Sequence, residues 1–305
     1  MGTNNMDGII CVNKPSDWTS FDVVAKVRGM ARTKKVGHAG TLDPMATGVL
    51  PLFLGNATKV CDILPNDDKG YQAVFRLGMT TDTQDITGEI LRQRESAVTK
   101  EQLLSVLPRF TGEIRQIPPM YSAVRVNGRR LYDIARSGEQ VERKARAAVI
   151  YEIRILDFSE ERQEVSAEIR CSKGTYIRTL CNDIGEFLGV GATLLSLNRH
   201  IAGNFTLDDC YTLEQLQQMT DEGTLEQKLL PVEKVFENLP EIRLNEIQTR
   251  KFLNGVKLDL NRVRYQKKEG SHRVFGQNGR FLGLARLDLE NMELVIEKMF
   301  ARVSL

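Results

Sequence analysis

Between Gly37 and Pro51 the chain reads Gly-His-Ala-Gly-Thr-Leu-Asp-Pro-Met-Ala-Thr-Gly-Val-Leu-Pro, and this stretch restricts the fold more than any other. Glycine admits backbone shapes and close approaches that other residues resist. Pro44 biases Asp43 away from the helical region, so the spacing predicts a rigid turn carrying one carboxylate. Two readings compete. An Asp-Pro turn is most often only a turn. A carboxylate that must be placed accurately against a bound molecule needs constraints of this kind.

The rest of the chain narrows the chemistry. Its 305 residues exceed one average domain and suffice for a good core in at least one. The hydrophobic share of 41% and charged share of 27% are those of a globular protein, without a low-complexity tract. No apolar run is long enough to span a bilayer, and Met1 to Asp7 lacks the hydrophobic segment of a secretory signal, so a cytoplasmic protein is expected. Cys11, Cys61, Cys171, Cys181 and Cys210 are odd in number and form no Cys-x-x-Cys pair. His38, His200 and His272 are scattered, so no metal site and no disulfide framework is expected.

A net charge of +2 hides an uneven distribution. From Arg109 to Arg146 nine basic residues face four acids, a second excess runs from Arg243 to Arg302, and a third, Lys26 to Lys35, directly precedes the Asp43 segment. Each block alone is as compatible with a solvated surface as with a ligand. Three together favour a polyanionic partner, nucleic acid, because phosphates attract Lys and Arg and release counterions on contact.

Gly8 to Val12, Val49 to Leu54, Tyr71 to Leu77, Val149 to Phe158, Glu164 to Cys171 and Ala192 to Ala202 have strand character. Helices are expected after a Ser20 cap, over Lys59 to Leu64, after the Thr99/Gln102 capping box, and from Thr175 to Leu188. In the polar run Thr80 to Gly88, Asp82 and Asp85 do not match a calcium loop, and side-chain-to-backbone bonding accounts for them better. Residues 116–147 differ in character: Pro118-Pro119, a strand, an Asn127-Gly128 hairpin turn, then a short basic helix from Arg129 to Arg136 closed by Gly138. This predicts a projecting, positively charged element. Strands with inserted helices, lacking regular alternation, argue for an α+β fold on a mixed sheet. Near Leu230 to Pro240 the pattern resets into short strands around Gly255, Phe275, Leu282 to Leu287 and Leu294 to Val303, a small, mostly β module.

Several segments together resemble one family, the bacterial tRNA pseudouridine-55 synthases of TruB type. They are Asn13-Lys14-Pro15 with Trp18-Thr19-Ser20; Gly37 to Pro51; Tyr71 with Arg76-Leu77-Gly78 and Thr81-Asp82-Thr83; Pro118 to Ala123; Gly128 to Tyr132; and Cys171 to Leu180. They occur in family order over most of the first two-thirds. The first motif usually reads Lys-Pro-x-Gly, and here Asp17 stands at the glycine. The resemblance implies a mainly antiparallel catalytic domain over 1–235, with an RNA-gripping insertion at about 116–147, and a PUA-like RNA-binding domain over 240–305. It implies an isomerase that flips the uridine of the tRNA T-loop out of its stack and converts it to pseudouridine. No cofactor and no guide RNA are expected, and a monomer is.

By the same resemblance Asp43 is the nucleophile, Arg178 its cationic partner, and Tyr71 the residue that stacks on uracil and offers a hydroxyl for proton transfer. His38 is a positioning residue beside the flipped nucleotide, Tyr176 and Leu197 line the uridine pocket, and Lys14 holds the site or the RNA backbone. Arg129 and Arg130 meet phosphates. Without the motifs around them, Arg178 reads as a helix-surface charge, Tyr71 as strand packing and Leu197 as plain core. The second functional class is a non-catalytic RNA-binding or tRNA-folding protein on the same basic surfaces. A guide-RNA-dependent relative is the third.

Overall fold

A computed structural model describes residues 6–65, 68–139 and 141–301, and for Arg130 the backbone alone. In chain order, β1 (Gly8–Lys14), α1 (Ser20–Met30), β2 (Val36–His38) and β3 (Thr47–Leu54) lead into β4 (Lys69–Leu77), the β5–β6 hairpin (Met79–Thr81 and Ile90–Gln93) and α2 (Lys100–Val106). After β7 (Gly112–Gln116) come a small hairpin, β8 (Arg125–Val126) and β9 (Arg129–Arg130), and α3 (Leu131–Arg136). Then follow β10 (Arg146–Ser159), β11 (Glu164–Cys171), α4 (Ile177–Phe187), β12 (Ala192–Ala202), β13 (Phe205–Thr206), β14 (Cys210–Tyr211) and α5 (Leu213–Asp221). The chain ends with β15 (Glu241–Arg243), α6 (Glu246–Leu253), β16 (Leu258–Asp259), β17 (Ser271–Phe275), β18 (Phe281–Asp288) and β19 (Glu293–Met299).

The central sheet runs β14-β1-β3-β12-β4-β11-β10-β7, with β2 on β3 and β13 on β12. Its pairs are antiparallel except β1 with β14 and β12 with β3, so the sheet is mixed and mainly antiparallel. The parallel crossing at β3 and β12 needs a glycine. Gly48 has φ +106°, and a Cβ there would lie 2.2 Å from the carbonyl oxygen of Arg199. One face of the sheet packs Leu50, Leu52 and Phe75 against Val27 of α1, Leu103 of α2, Leu180 and Ile184 of α4 and Leu216 of α5. Full burial of each such side chain contributes about 1.5–3 kcal/mol. The other face buries Ile9, Val49 and Phe53 with Val235, Phe236, Phe281 and Phe300, which ties the C-terminal strands to the sheet through a second apolar core.

Four expected elements differ. The cap of α1 is Thr19, not Ser20: Thr19 and Asp22 form a capping box, and Ser20 is the first buried helical residue. The helix expected from Lys59 to Leu64 is a 3-10 turn at Gly55–Val60. The strand expected around Gly255 is displaced: α6, capped by Asn245 and Gln248, precedes that glycine, and only the two-residue β16 follows it. Only Phe252 of α6 is buried, so it carries too little apolar periodicity to read as a helix. In the 116–147 element, Asn127 (φ 51°) and Gly128 (φ 82°) make the tight turn that their left-handed backbones allow, and the helix expected from Arg129 to Arg136 starts only at Leu131, because Arg129 and Arg130 pair as β9 with β8.

Candidate active site

The Asp43 turn is held from beneath. Lys14 at the end of β1 is fully buried, and its ammonium donates to the carbonyls of Trp18 (2.6 Å), Pro15 (2.7 Å) and Pro44 (3.0 Å). Burial pulls the Lys14 pKa down to about 8, yet three carbonyl acceptors match three N–H groups, which only the protonated form has. The Lys14 side chain therefore buttresses the turn; it does not line the cavity described below. Ser20 braces Leu42 on both sides, accepting from its N–H at 2.8 Å and donating to its carbonyl at 3.1 Å. Asp17, at the position where glycine was expected, adopts φ 65° and donates its N–H to Pro44 O at 2.9 Å. Aspartate is among the few residues that tolerate this left-handed backbone, so the substitution leaves the turn intact.

Arg178 comes in from the opposite side, in the first turn of α4, with 4% of its side chain exposed. All five of its N–H donors are used. Nε and Nη2 grip the Asp43 carboxylate at 2.9 and 3.0 Å; Nη2 also meets Tyr121 O at 2.8 Å; Nη1 meets Thr83 O at 2.9 Å and Asp85 Oδ2 at 3.3 Å. Such a bidentate pair fixes the carboxylate's direction as well as its charge. Asp85 was not anticipated as part of this cluster. Its other oxygen accepts from Thr87 N, the side-chain-to-backbone bonding expected of that turn, and also from the hydroxyls of Thr83 and Thr87. Nothing in the sequence of a polar turn says which carboxylate points inward.

Asp43, Tyr71, Tyr176, Leu197 and Arg178 line one cavity of about 280 Å³, together with Gly40, Ser172 to Thr175 and Arg199. That is on the scale of a single small ligand. A larger, shallower hollow of about 730 Å³ between the β5–β6 hairpin, the 116–147 element and α4 contains none of Asp43, Tyr71 or Arg178. Burial pushes the Asp43 carboxyl above its ordinary range, the Arg178 guanidinium pulls it back, and Asp85 adds to the rise. Burial likewise raises the Tyr71 phenol, with the Arg199 cation opposing. Gln116, buried at the end of β7, pins Tyr176 by both backbone groups at 3.0 and 3.1 Å.

Other named residues lie elsewhere. His38 sits on β2 opposite Leu52 and does not line the cavity; burial, reinforced by Arg199, lowers its pKa and keeps it neutral. Arg129 is exposed on β9 and paired with Glu139 at 3.0 Å. The Arg130 side chain lies outside the described residues. Among the described residues no group of three or more His, Cys, Asp or Glu could hold a metal, and no helix is long and apolar enough to cross a membrane.

Comparison with known proteins gives the family of the chain. The model of the TruB family pseudouridylate synthase N-terminal domain matches residues 28–177. Two further models, the tRNA pseudouridylate synthase B C-terminal domain and the pseudouridine synthase II TruB C-terminal region, match 178–237 and 240–292. The chain belongs to the TruB family. As a TruB-family pseudouridine synthase it is an isomerase. The tRNA pseudouridine synthase B of Clostridium perfringens is 44% identical over 292 residues, covering 95% of this chain and 98% of that protein. That of Ralstonia pickettii is 45% identical over 260 residues, 84% and 81% of the two chains. Among solved structures, a chain of a Cbf5-Nop10-Gar1 complex shares the fold at TM-score 0.74 and 26% identity, covering 98% of this TruB-family chain and 86% of its own. A chain of an H/ACA ribonucleoprotein bound to a substrate RNA containing 2'-deoxyuridine gives 0.73 and 25%, with 98% and 86% covered.

Proposed function

We propose that this enzyme isomerises uridine 55 in the T-loop of tRNA, with Asp43 as its nucleophile. The observation that carries this reading is the Asp43 carboxylate, gripped side-on by Arg178 at 2.9 and 3.0 Å, within a cavity of nucleoside scale whose walls include Tyr71, Tyr176 and Leu197. A base in a folded loop cannot enter such a cavity without leaving its stack. Tyr71 and Tyr176 offer faces for the extruded uracil and Leu197 an apolar contact. Asp43 attacks and releases the base from nitrogen; the base turns and rejoins the sugar through carbon 5. Tyr71 then takes the proton from that carbon, and the freed nitrogen gains one, so product and substrate are isomers.

Arg129, Arg130 and residues 240–305 serve in this scheme as outer RNA contacts. The relatives are named for tRNA alone, whereas one structural neighbour comes from an H/ACA ribonucleoprotein bound to a substrate RNA. We assign this chain a mode that needs no guide RNA. The test is direct. Purified protein and unmodified tRNA, with no other RNA, should yield pseudouridine at one T-loop position. Asp43→Asn should yield none while binding tRNA within a few-fold of wild type. Turnover near wild type in that variant would reject Asp43 as nucleophile, and a requirement for added RNA would reject the guide-free mode.

A further inference from the structure

Arg199 is a buried cation that forms no ion pair with a carboxylate among the described residues. It is 1% exposed, and Arg178, by contrast, has two such pairs. Its Nε donates to Val49 O at 2.9 Å and its Nη2 to Gly40 O at 3.0 Å. These carbonyls orient the guanidinium but supply no full negative charge, and a buried charge is costly unless something compensates it. The chain closes tightly over this group: a Cβ at Gly40, where φ is +79°, would lie 3.3 Å from Nη1.

Arg199 and Tyr71 are direct partners across the antiparallel β12–β4 pair, so their side chains stand on one face as neighbours. Both line the cavity that holds Asp43. We infer that Arg199 is a positioning residue for the reaction: its guanidinium supplies the positive charge that the Tyr71 oxygen needs when it acts as a phenolate. This rests on the proposed role of Tyr71 in proton transfer. In that step the phenolate oxygen bonds the proton on carbon 5 of the rejoined base, and the electrons of the broken C–H bond return to the ring. Tyr71 becomes a neutral phenol. The counter-charge of Arg199 thus appears within the cavity only while Tyr71 is ionised.

The charged and titratable groups facing Tyr71 are Arg199 from β12, Asp43 from its turn and Cys171 from β11. Lys69, Lys173 and Arg178 line the same cavity, and the Lys69 side chain lies beside the Arg199 guanidinium, its Cε as near the Gly40 Cβ position as Arg199 Nη1, at 3.3 Å. Asp43 and Cys171 oppose ionisation of the phenol, and Arg199 favours it.

The experiment places 3,5-difluorotyrosine at position 71 of the full-length protein, where fluorination brings the phenol's ionisation into a range the fold tolerates. Its 19F resonance is then followed against pH. Arg199→Gln should raise the midpoint by about one pH unit or more, a tenfold loss of phenolate at fixed pH. Arg199→Lys, which keeps the charge, should move it by less than half of that. The single-turnover rate of unfluorinated Arg199→Gln should fall about tenfold near neutrality and recover as pH rises. An unchanged midpoint in folded Arg199→Gln overturns the inference. If that variant does not fold, a shift in Arg199→Lys of a full unit overturns it equally. Tyr71→Phe separates the two layers: full turnover in it sinks the role of Tyr71 itself, whatever the midpoints do.

Discussion

Replacing Arg178 by Met keeps a side chain of similar length and removes one charge and five donors. The Asp85 carboxylate, 5% exposed, then loses its cation, and Thr83 O and Tyr121 O lose their donors. Breaking a buried pair by deleting one partner costs about 3–5 kcal/mol. Asp43 adds less, because a third of its side chain reaches solvent and water can replace the guanidinium there. The expected loss is therefore about 4 kcal/mol, a large part of the roughly 5–15 kcal/mol that holds a domain folded. Asp85→Asn alone should cost about 2 kcal/mol, since the amide puts an N–H where Arg178 donates. In the double variant the fault at Asp85 is gone: that buried charge is no longer stranded and no donors collide there, while Asp43, Thr83 O and Tyr121 O still lack the guanidinium. Urea unfolding followed by circular dichroism should show it less destabilised than the sum of the singles by about 1.5–3 kcal/mol. Additivity within about 0.5 kcal/mol would refute the coupling drawn from the geometry. Turnover of Arg178→Met should fall by about a hundredfold or more, because an unheld Asp43 no longer points at one atom.

Three further outcomes follow from the same coordinates. The attack proposed for Asp43 needs an ionised carboxylate, and burial raises its pKa above 3.8, so the single-turnover rate should rise with pH along an acid limb lying above 3.8; a limb at or below that value contradicts the described environment. Gly48→Ala places a methyl 2.2 Å from Arg199 O on a backbone of φ +106°, which should destabilise the fold by more than about 2 kcal/mol in thermal or urea unfolding; an unchanged melting temperature would mean that β3 and β12 do not cross as described. Replacing Arg129 and Arg130 together by Ala should weaken tRNA binding more at low than at high salt, lowering the salt slope by about 1–2 in filter-binding titrations; an equal loss at every salt concentration would exclude phosphate contacts as the cause.

The difference between what could and could not be anticipated follows the range of the forces involved. Strand and hairpin signals are local, so the strands expected over Gly8 to Val12, Tyr71 to Leu77 and Glu164 to Cys171 fall within β1, β4 and β11, the first two of which run two residues longer, and the Asn127-Gly128 turn was legible. The one-residue error at Ser20 has a tertiary cause. Thr19 and Ser20 are both competent caps, and the hydroxyl of Ser20 is engaged with Leu42, 22 positions away. Helix α6 escaped notice because its capping box is followed by a mostly polar turn, and one buried phenylalanine gives no period.

The site divides in the same way. Asp43, Tyr71 and Arg178 could be named because their neighbours along the chain make recognisable motifs, and local backbone restriction by glycine and proline marks the turn in advance. The partnership of Arg178 with Asp85, the support that Lys14 gives the turn from below, and the unpaired charge of Arg199 beside Tyr71 depend on contacts between segments that the chain order leaves far apart. Sequence by itself determined the chemical vocabulary and where the chain must bend. That Lys14 is buried, that Asp85 points inward and that Arg199 forms no ion pair among the described residues was decided only when the sheet brought β1, β4 and β12 together, since desolvation and Coulomb energy depend on separation in space.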